Sequence, residues 1–188
     1  MNRETMEAGI RLFLDGVFEG QVLDADKREI QADTPRRVAE AFQLHLFSGY
    51  AVDVAALVKP MVLSGASGPV ALRGIGFTSV CQHHLLPYRG VAHLGFLPAG
   101  HHIGLGTLAS LVDALSRRLT LQEPLTAAIA DAITEALAPS SVLVCLETEH
   151  GCLATRGARK EGHRLVTLER RGEPDADLEW MVLGRGRD

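Results

Sequence analysis

"VALRGIGFTSVCQHHLLPYRGVAHLGFL" (70–97) places two apolar, Gly-punctuated runs on either side of a polar turn that ends at a proline. Runs of this length and texture read as β-strands. Downstream, Leu108, Leu111, Val112, Leu115 and Leu119 recur at helical spacing. A second helix, starting near Pro124, carries Leu125, Ile129, Ile133 and Leu137 and stops at Pro139. "SVLVCLETE" (141–149) reads as a strand and "HRLVTLERR" (163–171) as another. The order is therefore β-β-α-α-β-β, an α+β domain. Upstream, residues 3–20 predict an amphipathic helix through Ile10, Leu12, Phe13, Val17 and Phe18. "TPRRVAEAFQLHLFSGY" predicts a second, with Thr34 as N-cap and Pro35 in the first turn. "SGASGP" (64–69) is a turn or linker. Three segments follow: an N-terminal helical part, 1–63; the α+β domain, 64–172; and a tail, 173–188, without a clear period.

The chain has 188 residues, 46% of them hydrophobic and 22% charged, with a formal net charge of −4. That suffices for one well-buried core with an appended helical segment. The mild acidity argues against nucleic acid as a partner, since phosphate backbones select basic stripes. No apolar run is long enough to span a bilayer. The first residues hold acids and no apolar stretch, so they do not read as a signal peptide. Three cysteines, an odd number, fit reduced thiols in the cytoplasm.

The turn at 81–84 raises the question of a metal. Cys81 and His84 are three residues apart, near enough to reach one ion from a tight turn. Cys145 lies in mid-strand, where a small apolar residue is expected. Cys152 falls just past the strand end, where loops carry chemistry. Cys81, His84 and Cys152 would make a three-ligand zinc site with its fourth position open. Read alone, His83 or His84 would equally serve as a strand-end histidine satisfied by a carbonyl, and His150 as a surface residue at a turn. His101 and His102 read as a solvated loop.

Four stretches carry a resemblance: "TPRRVAEAF" to "FSGY", "TSVCQHHLLPYRGVAHLGFLP", "IGLGTLASLVDALSRRLTLQEPLT" and "EHGCLATRGAR". Together, most of the chain from Thr34 to Arg159 resembles GTP cyclohydrolase I, the zinc enzymes that open the guanine imidazole ring. The resemblance implies the tunnelling fold, an antiparallel sheet with two helices on one face. It also implies a homo-oligomer, a decamer of two pentamers. Carried over by position, it makes Cys81, His84 and Cys152 the zinc ligands. His83 becomes a histidine facing the substrate, and His150 the proton donor at the imidazole ring. Glu123, with Gln122 before it, becomes the reader of guanine. Arg37 and Arg156 are associated with the triphosphate.

These residue types suit that chemistry. Zinc brings the pKa of its water toward neutrality. Purine C8 is a poor electrophile until N7 is protonated, a task a histidine performs near neutral pH. One carboxylate accepts both guanine N1–H and the 2-amino group, a donor pair that adenine lacks. The resemblance also implies Ser, Lys and Arg at positions where this chain has Gly106, Thr107 and Ser110. Two cations that would face a triphosphate are thus missing. Arg117, Arg118, Arg159, Lys160 and Arg164 are the cations left to compensate. Three readings compete: a GTP cyclohydrolase with a rearranged triphosphate site; a relative acting on GMP, guanosine or guanine; and a non-enzymatic ring that binds a purine or pterin.

Overall fold

The computed structural model describes residues 1–62 and 68–184, so the stretch expected as a linker lies largely outside the described residues. The chain divides into two compact units, Met1–Ser48 and Gly49–Asp188.

The first unit is helical. Asn2 caps α1 (Arg3–Val17) by accepting the Thr5 N–H, and Asp24 caps α2 (Ala25–Ala41) by accepting that of Lys27. Each cap satisfies one of the N–H groups that a helix start leaves open. Thr34 and Pro35 do not begin a helix, as their cap chemistry predicts; they lie inside α2. Pro35 has no N–H, so the carbonyl four residues back, that of Gln31, loses its helical donor. It accepts instead from the Arg11 guanidinium, at 3.3 Å. Beyond α2 the chain widens into a π-turn, Phe42–Leu46, closed by Phe47 N–H on Phe42 O at 2.7 Å. On α1, Leu12 and Phe13 remain 73% and 67% exposed.

In the second unit, α3 (Val54–Leu57) and β1 (Met61–Val62) precede β2 (Val70–Cys81) and β3 (Pro87–Leu97). After β4 (His101–His102) come α4 (Leu105–Ser116), β5 (Leu119–Thr120) and α5 (Gln122–Leu137). Then follow β6 (Ser141–His150), the single turn α6 (Gly151–Ala154), β7 (Leu165–Gly172) and α7 (Ala176–Leu183). The main sheet runs β5-β2-β3-β6-β7, antiparallel except for the short β5–β2 pair. This is the β-β-α-α-β-β order of the tunnelling fold. His101 and His102 pair with β1 in a two-stranded ribbon rather than lying in an open loop.

One sheet face carries the main core. Tyr88, Ala92, Leu94 and Phe96 of β3, with Val142, Val144 and Leu146 of β6, meet Leu108, Leu111 and Val112 of α4 and Leu125, Ile129, Ile133 and Leu137 of α5. The opposite face is covered by a helix that no periodicity announced. Leu178 and Val182 of α7 pack on Leu143 and Cys145. Gly95 makes room for it: a Cβ there would lie 2.8 Å from both the Leu178 and the Val182 side chains. With helices on both sides, β6 is a nearly continuous apolar run, as a doubly covered strand should be.

Candidate metal centre and active site

β2 ends at Cys81, whose thiol is buried. Three hydrogen bonds close the turn that follows: Cys81 N–H donates to Leu86 O at 2.9 Å, and the Leu85 and His84 N–H groups donate to Cys81 O at 2.9 and 3.3 Å. The closure puts Leu85 at φ 55°, a left-handed conformation uncommon for a branched side chain. It also directs His84 back toward the strand end, with Nδ1 3.6 Å from Cys81 Sγ. The third group arrives from β6. That strand ends at His150, and α6 at once presents Cys152. Gly151 is required between them, because a Cβ there would stand 2.6 Å from Pro87 O.

The ligand atoms of Cys81, His84 and Cys152 all lie within 4.8 Å of one another. Tetrahedral zinc with thiolate and imidazole ligands needs donor atoms about 3.3–3.8 Å apart. The Cys81–His84 separation already meets this, and a contraction of about 1 Å at most brings in Cys152. Two sulfurs and one nitrogen are a donor set for a soft or borderline ion. Without an ion, burial and then the neighbouring Cys81 push the Cys152 thiol up. A cation between the two sulfurs would reverse that balance.

Beside this group, His150 is held on three sides. Its ring stacks on Tyr88, with centroids 4.3 Å apart and planes 8° apart. Its Nε2 lies 3.0 Å from Gln122 Oε1. Its backbone N–H donates to His163 Nε2 at 2.9 Å. Gln122 is fully buried at the start of α5, and the protein itself engages both ends of its amide. Its NH₂ group is shared among Leu146 O, Leu165 O and Thr167 Oγ1 at 3.0–3.1 Å. Two of these are carbonyls, which only accept, so the amide orientation is set. Oε1 therefore faces Thr148 and His150 as an acceptor. The proton of a neutral His150 must then sit on Nε2, leaving Nδ1 as the nitrogen that Gln122 does not engage. Burial, and next the His163 ring, lower the His150 pKa, while the Glu123 charge raises it. Burial takes the Tyr88 hydroxyl up to about 12, so this stacking partner stays neutral.

Of the residues singled out in the sequence, seven gather at one end of the sheet: Cys81, His84, Cys152, His150, Gln122, Glu123 and Arg156. Glu123, exposed on the first turn of α5, acts electrostatically on His150 and Tyr88. Exposed Arg156 acts on Cys152. His83 is exposed on the same turn as His84, their rings 6.1 Å apart. Arg37 lies on α2 in the first unit, paired with Asp33 at 3.0 Å. Tyr88 and His163 went unassigned in the sequence. The strand register would have singled out Tyr88, since it pairs with His150 across β3 and β6. Two of the spare cations are committed elsewhere. Arg117 pairs with Asp113 at 3.3 Å. Arg118 donates to Gly49 O and Ala114 O and lies over the Tyr50 ring.

Comparison with known proteins places these features in a family. The family model of GTP cyclohydrolase I matches residues 19–182. GTP cyclohydrolase 1 of Bartonella quintana (strain Toulouse) is 40% identical over 176 residues, covering 93% of this chain and 82% of that protein. GTP cyclohydrolase 1 of Streptococcus pyogenes serotype M49 is 39% identical over 92% of this chain and 86% of its own. That of Bacillus cytotoxicus is 38% identical, covering 97% of this chain and 95% of its own.

Proposed function

The chain belongs to the GTP cyclohydrolase I family, and on that premise we propose that it hydrolyses the imidazole ring of a guanine nucleotide at C8 and releases formate. One observation carries the reading: a Cys81–His84–Cys152 donor set stands beside a histidine whose tautomer is dictated by a buried amide. A purine binder needs neither. Zinc held by these three side chains would supply an activated water at neutral pH.

The chain's own groups do the rest. With Nε2–H given to Gln122, His150 takes up its second proton at Nδ1, and as the imidazolium it donates that proton to the imidazole ring of the substrate and returns to the neutral Nε2–H form. Tyr88 holds the ring plane. Glu123 accepts the N1–H and 2-amino hydrogens of guanine, and its charge favours the protonated state of His150. His83 faces the bound base from the turn. Gln122 acts from the interior, by holding His150 and not by touching the substrate. Arg156 attracts the anionic tail; Arg37, which the resemblance also associates with the triphosphate, belongs to the N-terminal unit. The two thiolates need a reducing setting, which supports the cytoplasm; Cys81 and Cys152 are both free thiols. Among the described residues, no helix is long and apolar enough to cross a membrane.

A second reading concerns the tail of the substrate. Thr107 and Ser110 occupy the first turns of α4 where two cations are expected, and Arg117 and Arg118 are engaged by the protein. We propose a substrate preference that depends little on the triphosphate. Formate release from GTP, GMP, guanosine and guanine, measured in parallel with pteridine fluorescence, tests both readings. No formate from any of the four would refute the cyclohydrolase. Turnover of GTP alone would refute the relaxed preference.

A further inference from the structure

The segment between α6 and β7 carries Arg156, Arg159, Lys160 and Arg164, and the end of β6 holds it at two points. The Glu149 carboxylate accepts Gly162 N–H at 3.1 Å and pairs with Arg164 at 3.5 Å. The second point is His163. The β6–β7 ladder stops at the Thr148–Leu165 pair. Carried two residues further, the same register would set His150 opposite His163. The backbones do not pair there; the His163 ring takes the place of a strand partner. Its Nε2 accepts the His150 N–H at 2.9 Å, and its Nδ1 stands 2.6 Å from Lys160 O. A carbonyl only accepts, so Nδ1 carries the proton and Nε2 the lone pair. The neutral ring satisfies both contacts in that one tautomer.

We propose that His163 is a positioning residue for the ring-opening reaction: its two ring nitrogens tie the backbone of His150 to that of Lys160, setting both the imidazole that exchanges the proton and the loop that carries Arg156. The proposal rests on the function inferred above. Among the described residues Glu149 also ties the strand end to this loop, but its contacts are Gly162 and Arg164, not His150 and Lys160. Gln122 holds the His150 ring, whereas His163 holds its backbone; the Lys160 N–H bonds Leu153 O of α6 and does not engage His150. Without the ring, His150 N–H loses its acceptor just past the end of the ladder, and the strand end can fray.

Three variants separate this from a general structural role. In His163→Gln, the side-chain oxygen reaches the Nε2 position and can accept the His150 N–H. In His163→Asn, the shorter amide reaches only Lys160 O. His163→Ala makes neither bond. Each is assayed as the metal-loaded full chain for kcat, KM, metal content and amide hydrogen exchange at His150. Ala and Asn should lower kcat about tenfold or more, since misplacement by about 1 Å costs up to about a hundredfold. Metal content should be unchanged, and the His150 amide should exchange about tenfold faster or more, one hydrogen bond having been lost. Gln should restore both kcat and exchange to within about threefold of the parent, less than the effect of one hydrogen bond. If Ala fails to fold, the Gln–Asn contrast carries the test. Equal behaviour of Gln and Asn, or parental kcat and exchange in Ala, would overturn the proposal. If the parent releases no formate from any guanine compound, the functional reading falls, and exchange at His150 still decides the latch.

Discussion

Cys152 and Gln122 depend on their surroundings in opposite ways. Burial and Cys81 both disfavour the Cys152 thiolate, and a cation between the two sulfurs would reverse that balance. Replacing Cys81 or Cys152 with Ser should therefore abolish metal binding and formate release together, with the fold retained. Metal analysis of the purified variants beside the activity assay checks this; an active variant without stoichiometric metal would remove the zinc reading. Gln122 is satisfied at every polar atom, and its neighbours rely on it. Gln122→Leu would leave the Thr148 hydroxyl without its acceptor, take one partner each from Leu146 O and Thr167, and free the His150 ring. Each buried polar group left without a partner costs about 1–3 kcal/mol, so a loss of about 3 kcal/mol is expected, together with most of the activity. Urea denaturation measures the first effect. A variant as stable as the parent would mean that water replaces the amide.

At the scale of elements, α4 decides what the protein can do with phosphate. Its N-terminus starts at Gly104 without a side-chain cap, so free backbone N–H groups remain there. They offer a partial positive charge, a poor substitute for two side-chain cations facing a triphosphate. A charge-assisted hydrogen bond contributes about 1.5–3 kcal/mol, so two missing ones correspond to roughly two to four powers of ten in triphosphate recognition. The double replacement Thr107→Lys, Ser110→Arg should raise kcat/KM for GTP and leave that for guanosine unchanged. An equal change for both substrates would detach α4 from the phosphate tail. The other element of consequence is α7, which spares β6 an exposed second face.

At the scale of the whole molecule, several surfaces call for partners. β7 is an edge strand with Val166 and Leu168 about half exposed, and beyond β2 only the two residues of β5 pair. Open apolar edges are an association liability unless something covers them. On α1, Leu12 and Phe13 are exposed as well. These features support a ring of copies of this chain, which we propose to be a decamer of two pentamers. Light scattering at micromolar concentration should give a large, uniform particle, and Val166→Lys on the edge strand should shrink it. A stable monomer in the parent protein would refute the ring.

How much of this was legible in advance differs from residue to residue, for physical reasons. Apolar patterning determined the β-β-α-α-β-β order, because the helices bury one stripe and the central strands one or both faces, and that burial is written into their sequences. The gathering of Cys81, His84 and Cys152 was legible too, but not from the turn alone, where a histidine serves equally as a strand-end residue; the family resemblance joined the two halves. The start of α2 was misread, because the cap signal at Thr34 and Pro35 is local. Arg11, twenty residues from Gln31 in sequence, supplies the donor that lets the helix run through the proline. α7 was invisible because eight residues make barely two turns, and only contact with Gly95 and Leu143 defines its apolar side. Gln122, Tyr88 and His163 acquired their roles only from the tertiary structure. What each does depends on a partner 13 to 62 residues away in sequence that only the packing of sheet, helix and loop brings within hydrogen-bonding or stacking distance.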